Sequence, residues 1–330
     1  MPMNPADSHV VAQWAHDSPL IACRFDPLMR YAVSSSEDQS LQRWSLADGS
    51  KVVLKAHDSW VFAVAVTPDG NTVLSGGGDG RLIWWPLAGE APQPVRTVAA
   101  HVGWIRALAV SPDGQHVASA GNDRQVRLWN IAEGTLVKEF AGHDSHVYSV
   151  TFHPSGAFLV SGDLKGNVHQ WDIATGTLVR SFDAKALWSY NGGQMVDFGG
   201  VRGLAISPDG RYLAAGGLNN ASNPLGAVHD PVVLLFEWES QKLVQTQIAE
   251  GLKGSIWRLL FHPEGWLMGA SGGSSGGFVS FWKPDAPKEA HRFSLPNIVR
   301  DFDLTADGLQ ILTSHYDRHL RVSRIAPKMA

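Results

Sequence analysis

Apolar residues return along this chain in short runs rich in Val, Ala, Leu and Trp, separated by small clusters of Pro, Asp, Gly and Ser. One stretch shows the plan. An apolar run at 60–66 is followed by Thr67, Pro68, Asp69 and Gly70, a second run at 72–75, then Asp79 and Gly80, a third at 81–85, and a fourth at 95–99. Runs of this length, bounded by turn formers, predict antiparallel strands joined by tight turns. Four such strands make one small twisted sheet.

The plan repeats about every 42 residues, and selected polar residues keep their places within it. His16, Ser34, Asp38 and Trp44 are followed by His57, Ser75, Asp79 and Trp85, and then by His101, Ser119, Asp123 and Trp129. In each set Ser follows His by 18 residues, Asp by 22 and Trp by 28. A fourth copy keeps His143, Ser161 and Trp171 but carries Lys165 where Asp is expected. The turn after the first strand of a unit recurs as Phe25-Asp26-Pro27, Ser111-Pro112-Asp113-Gly114 and Ser207-Pro208-Asp209-Gly210, and more loosely at His153, His262 and Thr305. With the turn at Thr67 this makes seven units. In the later ones Asp197, Leu252 and Leu295 stand at the His position, and Phe236, Trp282 and Ser323 at the Trp position, so units one to three are expected to be the better locked.

These motifs, with Gly142-His143 and Trp171-Asp172, resemble the WD40-repeat family over essentially the whole chain. The resemblance implies an all-β fold, a seven-bladed β-propeller of four-stranded antiparallel blades around a central channel. The last unit supplies three strands, near 299–304, 310–313 and 320–325, whereas residues 9–14 precede the first unit without a partner. Pairing the two ends would close the ring and remove an exposed strand edge. Residues 1–330 are therefore expected to form one closed domain.

His101, Ser119 and Asp123 could be taken singly for a nucleophile, a base and an orienting carboxylate. A hydrolase, however, places one such set at an open site beside an oxyanion hole, and repetition in unit after unit points to structure. In the family that this chain resembles, Asp holds His in one tautomer, His meets the Ser hydroxyl, and the hydroxyl accepts from the indole N–H. Every buried polar group in that chain has a partner.

Composition narrows the function classes. A net charge of −4 argues against a protein that coats nucleic acid, although aromatic and arginine side chains also suit single strands. Cys23 is the single cysteine, which rules out an internal disulfide. The remaining histidines form no HExxH or comparable ligand set, so neither metal nor cofactor is expected. The stretch from Ser271 to Gly277 lacks the Lys of a phosphate loop and is expected to be a flexible turn. Residues 1–8 lack the design of a signal peptide and no apolar run is long enough to span a bilayer, so the expected location is cytoplasmic with no membrane contact.

Function is therefore expected on the loops and the channel mouth. Two insertions, at 187–200 and 218–230, fall at unit five on the face that carries the second-to-third-strand turns. Three residues after the His position stand Trp60, Trp104 and His146, and five after it Arg106, Tyr148, Arg202, Trp257 and Arg300. These positions are similar to those that line the top rim of the channel in WD40 proteins. With Trp188 and Tyr190 from the first insertion they form the expected partner-binding set, rich in the residue types of interface hot spots. The leading expectation is a non-catalytic scaffold, a monomeric propeller within a larger complex, that binds a protein or peptide partner with an acidic element. The alternative is a small-molecule or enzymatic site in the channel mouth.

Overall fold

The structure, a computed structural model, describes residues 3–219 and 228–327. Most of the second insertion thus lies outside the described residues. Seven four-stranded antiparallel sheets are arranged as a β-propeller. Blade two, for example, runs from its inner strand Val61–Val66 through Thr72–Gly77 and Arg81–Pro86 to the outer strand Arg96–Ala99. Blade seven takes Val299–Leu304, Gln310–His315 and His319–Ile325 from the end of the chain and its outer strand, Ser8–Ala15, from the beginning. Ser8 pairs with Ile325 and Trp14 with Leu320, so the two ends close the ring as expected.

The core is not one mass but seven layers, each shared by two neighbouring blades. Val33 and Leu41 of blade one pack with Val64, Val73 and Trp85 of blade two. Trp84, on the opposite face of blade two, packs with Leu108 and Trp129 of blade three. Side chains alternate across a strand, so a sheet with neighbours on both sides must be apolar on both faces. That is why the apolar runs are nearly continuous.

The repeated polar set forms the buried chain expected of it. In blade three His101 Nδ1 lies 2.8 Å from Asp123, its Nε2 lies 2.7 Å from Ser119 Oγ, and Trp129 Nε1 donates to the same oxygen at 2.9 Å. Blade two repeats this with His57, Asp79, Ser75 and Trp85. Gly121 belongs to the arrangement, because a Cβ there would sit 2.8 Å from His101 Nδ1 and 2.7 Å from the Trp104 carbonyl. Burial by itself would raise Asp79 and Asp123. Hydrogen bonds from His57 and His101, with others from Arg127 and backbone N–H groups, outweigh it and hold both carboxyls well below their usual range.

Four expectations need correction. Blade four is not missing its carboxylate: Asp163, two residues before Lys165, meets His143 Nδ1 at 3.0 Å, while Ser161 and Trp171 complete the chain. In blade one His16 does bond Asp38, but Gln42 stands between His16 and Ser34, its Nε2 3.1 Å from the imidazole and its Oε1 accepting from Ser34. The uninterrupted lock thus occupies blades two to four. Asp197 is not at the His position of blade five. Residues 188–199 fold as an inserted hairpin of Trp188–Asn191 and Val196–Gly199, and buried Leu187 fills the site against Gly217 that His101 fills against Gly121.

The glycine-rich stretch of blade six is likewise not a flexible turn. Gly272 pairs with Gly277 and Gly273 with Gly276 in the ladder of Leu267–Gly273 and Gly276–Trp282. A Cβ on Gly277 would lie 1.8 Å from the Asn297 carbonyl, so glycine lets the connection into blade seven cross the hairpin. Of the later Trp positions, Trp282 is buried, but Gly269 occupies the register where Ser usually stands and the indole N–H finds no acceptor among the described residues.

Removing one member of the lock leaves the others buried without partners. Ser119→Ala is expected to cost about 1–3 kcal/mol in thermal or denaturant unfolding. Asp123→Asn and Asp163→Asn should each destabilise similarly, whereas Lys165→Ala should not. Because the folded carboxyls titrate lower than unfolded ones, their contribution is complete above the unfolded value of about 4 and is lost as pH falls toward the folded values. Asp123→Asn should therefore flatten the loss of stability below about pH 4. Deleting residues 1–14 strips blade seven of its outer strand and of buried Met3. The shortened chain should melt early and aggregate on a sizing column; a monomer with unchanged melting would show that this strand does not secure the ring.

Candidate functional site

The hydrogen bond from each His to its Asp places two kinds of connection on one face, because His lies on the approach to the inner strand and Asp in the turn after the second strand. At that face the channel opens into a chamber of about 490 Å³. Trp60, Trp104, Arg106, Tyr148, Arg202, Trp257 and Arg300 all line it. His146, Trp188 and Tyr190 do not line it. Trp188 lies on the inserted hairpin, with its Nε1 donating to Asp197 at 2.8 Å, and Tyr190, next but one along the same strand, is 55% exposed. His146 is half-buried at the start of blade four, where burial and the charges of Arg106 and Arg124 lower its pKa.

Rings and guanidinium groups alternate around the mouth. Trp60 lies 6.1 Å from Phe62, and Phe62 stacks on Trp104 at 4.8 Å. The Arg106 guanidinium lies 4.3 Å from the Trp104 ring and 5.0 Å from Tyr148. The Arg202 guanidinium lies 4.2 Å from the same Tyr148 ring and 5.7 Å from Trp257. Such contacts fix long cationic side chains without consuming their hydrogen-bond donors. The tryptophans at the Trp position and Trp84 fill the gaps between blades, whereas Trp60, at 45% exposure, and Trp104 do not.

The arginines of the mouth differ in their electrostatics. Arg300 stacks on Tyr316 at 4.7 Å, but it also pairs with Glu37 at 2.7 Å, which corrects the expectation that it is available to an acidic partner. Arg106 and Arg202 have no carboxylate partner among the described residues. Arg106 donates through Nε to Asn122 Oδ1 at 2.8 Å and Arg202 through Nε to the Gly199 carbonyl at 3.0 Å. Burial, opposed in part by Tyr148 and reinforced by the Arg202 charge, brings Arg106 down to about 10; burial also lowers Arg202. A guanidinium stays protonated in a protein, so both are cations.

Deeper in the chamber Asp301 accepts from Arg24 at 2.6 Å and faces Arg258 at 3.6 Å. These residues and Tyr316, Glu37 and Asn122 were not in the expected site. For Glu37, Asn122 and Tyr316 the signal was present, since each stands three residues after the Ser position of its blade. Their backbone N–H groups bond Pro19, Trp104 and Ile298, three residues after the His positions, which makes them a second tier of the same rim. Among the described residues no cluster of His, Cys, Asp or Glu could hold a metal ion, and no helix is long and apolar enough to cross a membrane.

The ring of seven four-stranded sheets around a lined channel defines the class, a seven-bladed β-propeller. Four segments, 49–86, 92–130, 134–172 and 186–221, match the WD domain, G-beta repeat. With the seven blades, this makes the chain a member of the WD40-repeat family. Members of this family are generally protein-interaction scaffolds. The chain is also similar to transducin beta-like protein 3 of Rattus norvegicus, 42% identical over 69 residues, which is 21% of this chain and 9% of that protein.

Proposed function

We propose that this propeller is a non-catalytic scaffold that binds a protein or peptide partner at the top mouth of its channel. The observation that carries the reading is the alternation of Trp104, Arg106, Tyr148, Arg202 and Trp257 around one open chamber, with two guanidinium groups lacking a counter-charge. Buried aromatic area holds an apolar anchor, while the two cations favour an acidic element beside it. The inserted hairpin, whose Gly199 carbonyl accepts from Arg202, adds exposed Tyr190 and Met195 that could extend the contact surface at blade five. A chamber of about 490 Å³ is also of a size that takes small molecules, and this supports the second reading, a metabolite site in the mouth.

Trp257→Ala and Arg202→Ala should each weaken partner binding by about 2 kcal/mol or more, roughly 30-fold. Asp113→Asn and Asp209→Asn lie on the opposite face, where both carboxylates accept from neighbouring Ser hydroxyls, and should alter stability alone. Partners captured by the intact chain and lost from an Arg106→Ala, Arg202→Ala double variant provide the ligand for calorimetry on all four variants. The arginine substitutions should also reduce the salt dependence of binding. Loss of binding in the Asp113 and Asp209 variants, with Trp257 and Arg202 variants intact, would put the site on the other face; a co-purifying metabolite displaced by the double substitution would favour the second reading.

A further inference from the structure

The chamber reverses the sign of the whole molecule. The chain carries a net charge of −4, yet the chamber is lined by Arg24, Arg106, Arg202, Arg258 and Arg300 against the single carboxylate of Asp301. The protein supplies counter-charge unevenly. Glu37 reaches in to Arg300, and Asp301 serves both Arg24 and Arg258. Arg106 and Arg202 are left over. Each spends only Nε on a neutral oxygen, so the paired Nη groups that form the fork of each guanidinium donate to nothing among the described residues.

The two forks act on one place because both cations pack on the same ring, with Arg106 5.0 Å and Arg202 4.2 Å from the centre of Tyr148. Trp104 lies 4.3 Å from the Arg106 guanidinium and Trp257 5.7 Å from that of Arg202, so the pair is held in position before any ligand arrives. Each charge opposes the other, and both sit where water is partly excluded. An incoming anion therefore relieves a standing repulsion as well as filling open donors.

Charge and shape then select the anion. A carboxylate brings one negative charge and two oxygens in a plane, enough for one fork. A phosphomonoester brings nearly two charges at neutral pH and three oxygens directed tetrahedrally, which can serve two forks that do not share a plane. We propose that Arg106 and Arg202, set around Tyr148, form a phosphomonoester subsite in the channel mouth. The inference rests on the mouth being the binding site and replaces its acidic element by a phosphorylated one. The group that carries the phosphate lies against the Trp104 and Trp257 walls, whether it is a phosphorylated side chain of a partner or a free aromatic or apolar phosphomonoester.

The test is calorimetry on the full chain at pH 7.5 with four probes: phenyl phosphate, its monoanionic methyl ester, benzoate, and a blocked pentapeptide with phosphoserine between leucines. Phenyl phosphate should bind one to one, about tenfold or more tightly than the methyl ester and benzoate. Arg106→Gln and Arg202→Gln should each weaken it about tenfold, with Lys138→Gln on the outside of blade three leaving it unchanged. A phosphopeptide that binds more tightly than phenyl phosphate supports the subsite and identifies a protein source; the reverse order supports it and identifies a free phosphomonoester. No saturable binding of either phosphate probe, or benzoate binding as tightly as phenyl phosphate, overturns the proposal, and these outcomes need no variant and so do not depend on the folding of one. If the phosphate probes fail while Trp257→Ala and Arg202→Ala still lose a protein partner, the scaffold reading stands and only the phosphate is rejected.

Discussion

Each blade has two apolar faces and can bury both only if it has a neighbour on either side, and this constraint governs the rest of the structure. Seven shared layers meet the requirement once the last blade packs on the first, as Leu312 and Leu320 do on Phe25 and Trp44. The pairing of Ser8–Ala15 with His319–Ile325 completes the sheet at that junction. Burial is thus cooperative around the circle. The channel remains because the inner strands, held by packing between blades, need not meet on the axis.

Within that ring the polar lock answers a local need: a buried indole N–H, a hydroxyl and an imidazole are each costly to leave unpaired. The blades meet it in several ways. Blades two to four use His, Ser, an acid and Trp; blade one inserts Gln42 between His16 and Ser34. In blade seven His315, at the end of the second strand itself, lies 2.8 Å from Thr313 Oγ1, a hydroxyl at the usual Ser position. In these blades what is preserved is hydrogen-bond satisfaction rather than a residue at a fixed number; blade six departs from this, since its Trp282 indole N–H has no acceptor among the described residues. Blade five, with Leu187, Ala215 and Phe236, removes the polar groups altogether and has nothing left to satisfy.

The channel mouth follows the opposite logic. Glu37 and Asp301 show that the fold can neutralise a rim arginine when it stands beside the right residue, yet Arg106 has Asn122 and Arg202 has a carbonyl in the corresponding role. Neutral oxygens hold these two side chains in place without cancelling their charge. Stacking on Trp104, Tyr148 and Trp257 does the same. The result is a rigid pair of cations whose charge is compensated by nothing within ion-pair distance among the described residues.

The resemblance to WD40 proteins implied a closed ring and the rim positions of Trp60, Arg106, Tyr148 and Arg202, while the spacing of His, Ser, Asp and Trp and the seven turn markers contained the blades and their number. Those properties are periodic, and a repeated unit writes them several times over. Equal spacing could not show that Asp163 replaces an acid at Lys165, because the distance from His143 in space is set by the bend after the strand and not by the residue count. Nor could it show that residues 188–199 form a separate hairpin, which moves Asp197 away from the site its number indicated and brings Leu187 in. The pairing of Arg300 with Glu37 joins residues 263 apart in the chain. Only the closed ring sets blade seven beside blade one, and so only the tertiary structure decided which of the mouth's arginines are left without a counter-charge.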